Sequence, residues 1–134
     1  MRRIRSTTRP ASAPVAEPVV VTRVVAASSA LDSLTSTPEA TILRLSADEA
    51  LVLDGAISVD DPHALVLEDH GWIVKRLDEA ELRVRLAELC AWEPQPGLNQ
   101  GMVAGLPAKV WIAGDRSFMI VPAGFAAEVE ERWR

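Results

Sequence analysis

Four stretches of this chain are apolar at every position, and they constrain its fold more than any other feature. They are Ala64-Leu-Val-Leu67, Trp72-Ile-Val74, Val110-Trp-Ile112 and Phe118-Met-Ile-Val121. Such short runs, rich in β-branched and aromatic residues, read as strands and not as helices. Successive side chains of a strand point to opposite faces, so each of these strands is apolar on both. Val110 and Ile112 face one way and Trp111 the other. A sheet with one solvated face alternates apolar and polar residues instead. The sheet built from these strands therefore needs a cover on each side.

Local signals place the remaining elements. Residues 41–45 and 50–53 predict a strand pair around the loop Ser46-Ala-Asp-Glu49. Asp54-Gly55 is a turn signal, and Asp60-Asp61-Pro62 a second break. Residues 63–67 read as a strand, Glu68-Asp69-His70-Gly71 as a turn, and residues 72–76 as a further strand. Asp78 opens a helix, with Glu81 three residues on completing a capping box. Leu82, Leu86, Leu89 and Cys90 share one stripe of that helix, and Pro94 and Pro96-Gly97 end it. Residues 102–104 read as a short strand. Residues 109–113 and 117–121 predict a hairpin whose Gly114-Asp115 loop has the glycine a type II′ turn requires. A last helix over 125–133 carries Phe125, Ala126, Val129 and Trp133 on one stripe.

This order predicts an α+β fold: a mostly antiparallel sheet with two helices on one face. The stretch 72–133 reads as a ferredoxin-like split β-α-β arrangement short of its last strand, which an earlier strand would supply. The chain divides near residue 39. Residues 1–38 contain Arg2, Arg3, Arg5, Arg9 and Arg23 and four of the nine prolines, but no glycine. That mixture predicts a disordered or loosely ordered basic leader, with residues 39–134 forming one domain. An Arg-rich, acid-poor leader also fits a transit peptide. A twin-arginine signal does not fit, because Arg23 interrupts the one candidate apolar region at residues 19–30. The valines at 19–21 and 24–25 suit either a strand or a segment that orders on a partner.

Two helices of this length cover one face of the sheet. The other face would carry Trp72, Trp111 and Met119, and large apolar patches of that kind mark interaction sites. These three residues are the candidate partner interface. The long loops and the leader are the competing cover.

The chain offers no catalytic, cofactor-binding or metal constellation. His63 and His70 are the only histidines, and an intervening strand would hold them about 23 Å apart at ~3.3 Å per residue. Cys90 is the only cysteine, so neither an internal disulfide nor a multi-cysteine metal site is available. It lies on an apolar helix stripe near the C-terminus, where the helix dipole disfavours a thiolate. Gly97, Gly101 and Gly105 do not form a phosphate-binding motif. A net charge of -5 argues against a nucleic-acid partner, and the lack of an 18-residue apolar run argues against a spanning helix. A cytoplasmic protein is expected.

Residues 40–134 resemble the gamma subunit of heterotetrameric sarcosine oxidase, a relative of the folate-binding aminomethyltransferase domain. Leu43-Arg-Leu-Ser-Ala-Asp-Glu49 stands where that family has Leu-Arg-Leu-Gly-Pro-Asp-Glu. Arg83-Val-Arg-Leu-Ala-Glu-Leu-Cys90 is similar to its helix. Gln100, Val110-Trp-Ile112, Gly114, Phe118-Met-Ile-Val121 and the terminal Trp133 are similar to its closing stretch. The resemblance implies a non-catalytic companion of the larger subunits of a flavin- and folate-linked amine oxidase. The chain itself would carry no cofactor, while the partner subunits would carry FAD, FMN, NAD and tetrahydrofolate. The alternative is a free-standing folate or one-carbon binding domain of aminomethyltransferase type, which needs an apolar pocket of about 300–1,000 Å³.

Overall fold

The computed structural model describes residues 16–133. The expectations for residues 1–15 lie outside the described residues. In chain order the elements are β1 (Glu17–Val25), α1 (Ser28–Asp32), β2 (Thr35–Ser36), β3 (Thr41–Ser46), β4 (Glu49–Leu53), β5 (Ile57–Ser58) and β6 (Leu65–Arg76). They continue with α2 (Glu79–Leu89), β7 (Gly97–Val103), β8 (Leu106–Ile112), β9 (Phe118–Pro122) and α3 (Ala126–Arg132). Single 3₁₀ turns lie at Gly114–Arg116 and Ala123–Phe125.

Seven strands form one sheet in the order β3-β4-β1-β6-β9-β8-β7. Every neighbouring pair is antiparallel. A separate two-stranded ribbon joins β2 to β5. The fold is thus α+β and mostly antiparallel, with three helices.

The sheet rolls almost into a barrel. One apolar cluster takes side chains from all seven strands: Val21, Leu43, Leu51, Leu53, Trp72, Val74, Phe118 and Ile120, with Leu98 and Trp111 packed against them. A flat sheet cannot bring its two edge strands to one cluster. The edges also touch directly, since the Gln100 amide of β7 donates to the Leu45 carbonyl of β3 at 3.1 Å. Outside the barrel, α2 and α3 cover Ile73, Ala108, Val110, Met119 and Val121 with Leu82, Leu86 and Val129. On the other flank, α1 covers Val24, Ala50 and Val52 with Ala30 and Leu31. The doubly apolar strands are explained by this geometry: one face lines the barrel and the other lies under helices.

Local chemistry accounts for several elements. The Asp78 carboxylate caps α2 by accepting from the Glu81 amide at 2.9 Å, which satisfies one of the helix's orphan N–H groups. Leu82 and Leu86 are fully buried on that helix. Ala104 (φ +52°) and Gly105 (φ +80°) form a two-residue loop between Val103 and Leu106. Two positive φ values in succession are the type I′ geometry that matches strand twist.

Four differences from the sequence expectations have identifiable causes. Residues 17–38 are not a leader. β1 is an interior strand of the sheet, paired with β4 on one side and β6 on the other, and Val21 and Val24 are fully buried. Five valines supply strand propensity and core volume, which outweigh the basic and proline-rich flank. Second, residues 68–71 are not a turn. β6 runs unbroken, and the Asp-His-Gly signal becomes a bulge in which residues 69–72 face only residues 19–21 of β1. Third, the Gly114 connection is longer than a type II′ turn, with Trp111 paired to Phe118 across a 3₁₀ turn. Fourth, the short strand expected at 102–104 extends back to Gly97 as β7.

Candidate functional site

The bulge in β6 builds the most polar part of the barrel. An extra residue on one strand bends it and resets which face its side chains take. Asp69 before the bulge therefore shares a face with Trp72 and Val74 after it, both of which line the barrel. The Asp69 carboxylate accepts from the Gly71 amide at 2.9 Å, the Trp72 indole at 3.0 Å, and Arg23 Nη2 at 3.0 Å. Arg23, on β1, also pairs with Glu49 at the start of β4. Three strands are thus tied together at the open end of the barrel by one guanidinium between two carboxylates. Desolvation pushes the Asp69 carboxyl upward, but the Gly71 amide, the Trp72 indole and Arg23 together hold it below the ordinary carboxylate range.

Lys109 of β8 reaches the same end. Its ammonium lies 5.8 Å from the centroid of the Trp72 ring and donates to Gln100 Oε1 at 2.8 Å. Burial lowers its pKa from the usual lysine value, the charge on Glu49 opposes that shift, and Arg23 adds to it. Among the described residues no carboxylate lies within ion-pair distance of Lys109, and Glu49, whose charge acts on it, is engaged with Arg23. A cavity of about 270 Å³ opens beside it, walled by Trp72, Gln100, Met102, Pro107 and Pro122. The other lysine, Lys75, faces the opposite side of the sheet and is buried beneath the Trp133 ring at 5.6 Å.

The three candidate interface residues have places in this architecture. Trp72 is 9% exposed and forms part of the barrel lining. Met119 is 3% exposed and lies under α2 and α3. Trp111 is half-buried against the barrel cluster. The three do not share a face: Met119 lies beneath the helices, while the curvature of the sheet turns Trp72 and Trp111 toward the barrel cluster.

A different apolar surface is exposed. β9 pairs with β6 only from Trp72 to Arg76, and Pro122 ends it there. The earlier half of β6, from Leu65 to His70, is paired by β1 on one edge and by no described strand on the other. Leu65, Val66 and Leu67 are 57%, 47% and 53% exposed. Val20, on the adjacent strand, is also half exposed. The sequence showed the apolar run but not that this half of β6 has no described strand on its second edge, because the length of β9 decides that.

The other chemistry-bearing residues remain apart. His63 and His70 are exposed, and His70 Nε2 lies 3.9 Å from Glu68 Oε1. Cys90 is half-buried at the end of α2, with its Sγ 3.1 Å from the Leu86 carbonyl. Among the described residues no three His, Cys, Asp or Glu side chains are placed to hold a metal ion. Among the described residues no helix is long and apolar enough to cross a membrane. Comparison with protein-family models, with curated proteins and with solved structures finds no match.

Proposed function

We propose that this chain is a non-catalytic companion that docks onto a larger protein along the open edge of β6. The carrying observation is the run Leu65-Val66-Leu67, about half exposed on a strand that has one edge unpaired among the described residues. Unpaired strand edges present a row of backbone donors and acceptors, and natural proteins normally shield them with charge, proline or a covering element. An added strand from a partner would satisfy those groups while its side chains bury the three aliphatic residues. Glu68 beside the run and the nearby Asp60 and Asp61 favour a partner strand with basic flanks.

On the resemblance described above, that partner is a larger subunit of a flavin- and folate-linked amine oxidase. The finer topology would then be the split β-α-β arrangement of aminomethyltransferase-type domains.

The test is co-expression of the chain with the larger oxidase subunits, followed by sedimentation. Leu67→Lys should weaken assembly by roughly tenfold or more, while the free chain melts within a few degrees of the parent because the residue is exposed. Assembly unchanged by both Val66→Lys and Leu67→Lys would sink the edge-docking reading. Failure of the parent chain to join any such subunit would sink the assigned partner.

A further inference from the structure

We infer that the cavity beside Lys109 is a binding site for a small organic carboxylate with an apolar, ring-sized body. The inference is independent of the docking role, because it rests on the barrel interior and not on the β6 edge. Three observations carry it. The Lys109 ammonium is drawn into the open end of the barrel against the Trp72 ring, where it gains a cation–π contact and one neutral acceptor, Gln100 Oε1. The carboxylate whose charge acts on it, Glu49, is committed to Arg23. A partly desolvated cation without an anionic partner attracts one more strongly than an exposed lysine does.

The cavity walls select what such an anion is attached to. Trp72, Met102, Pro107 and Pro122 are apolar or flat, and Gln100 is the polar exception. The volume of about 270 Å³ exceeds the ~150 Å³ that takes a benzene molecule, and leaves room for one ring and a carboxylate. Inorganic phosphate would meet the cation but would leave the apolar walls unfilled. Mouths of barrels with a few convergent polar groups are common ligand sites. Lys109 is held by a short, fully paired strand segment between β7 and β9, so the ammonium is pre-positioned.

The chain has two lysines, Lys75 and Lys109, on opposite sides of the sheet. Protein labelled with ¹³C-lysine therefore reports the site through two ε-carbon signals. Sodium benzoate is the probe, with benzyl alcohol and inorganic phosphate as comparisons at constant ionic strength. Benzoate should shift the Lys109 ε-carbon and the Trp72 indole N–H saturably. Benzyl alcohol and phosphate should each bind roughly tenfold more weakly or worse, since each lacks one half of the recognition. Lys109→Met should lose roughly tenfold in benzoate affinity, and Lys109→Arg should keep most of it. The inference fails if benzoate gives no saturable shift, or if benzyl alcohol or phosphate binds as tightly. It also fails if folded Lys109→Met binds like the parent. Should Lys109→Met not fold, the labelled parent decides: a benzoate shift confined to Lys75, or absent from both lysines, overturns the site.

Discussion

Asp69 is the side chain on which the closure of the barrel is expected to depend most. Its two oxygens accept four hydrogen bonds, from the Gly71 amide, the Trp72 indole, and Arg23 Nε and Nη2. Asp69→Ala removes all four of these hydrogen bonds. The Trp72 indole N–H, on a residue only 9% exposed, would be left without its partner at a cost of ~1–3 kcal/mol. The Gly71 amide holds the bulge and contributes about 1 kcal/mol. Arg23 keeps Glu49 and is one-third exposed, so its loss adds less than about 1 kcal/mol. The sum is roughly 3 kcal/mol, a fall in melting temperature on the order of 10 °C.

Asp69→Asn should lose somewhat less. The amide oxygen still accepts from Gly71, but its NH₂ then faces a second donor at Trp72 or Arg23. The pH dependence separates charge from shape. Because the folded-state pKa of Asp69 lies below its unfolded value, its ionised form stabilises the fold above the unfolded pKa of about 3.9. That contribution is lost as pH falls through the lower folded value. The gap between parent and Asp69→Asn in thermal melts should be full at pH 7 and begin to close below about pH 5. A melting temperature for Asp69→Ala within about 2 °C of the parent, on the scale of ~4 °C per kcal/mol, would refute the reasoning. A gap that does not change with pH would do the same for its electrostatic part.

Two further outcomes follow from the packing. Trp111→Ala should destabilise the free chain by about 2–3 kcal/mol in denaturant unfolding, less than a fully buried tryptophan because it is half-buried; a change below about 0.5 kcal/mol would show that it is not part of the barrel wall. Removing residues 1–25 should abolish cooperative melting, since β1 joins β3-β4 to the rest of the sheet; a cooperative transition close to the parent's would mean the sheet closes without it.

Much of the local structure was legible in the residues. The Asp78 cap, the stripe of Leu82 and Leu86, and Val129 on the last helix behave as their spacing dictates, because each depends on groups within one or two helical turns. The β3-β4 hairpin and the pairing of β8 with β9 are likewise local. The doubly apolar strands correctly required two covers. What covers them was not legible. Curvature arises from the sum of strand twist and bulges over seven strands, and no single segment encodes it.

The bulge shows the limit most clearly. An aspartate side chain accepting the amide two residues on is the same local device in a turn and in a bulge. Asp69-His-Gly71 therefore announces an irregularity without saying whether the chain reverses. The neighbouring strand decides, since Val19 and Val21 bracket the extra residue and keep β6 running. The candidate site depends on that outcome. Arg23, Glu49, Asp69, Trp72, Gln100 and Lys109 come from five different strands. The sequence by itself determined that these strands would be apolar on both faces and that Asp78 would cap α2. Only the tertiary structure decided that the sheet would roll, because closing it buries the inner face of all seven strands at once, which no local preference can do.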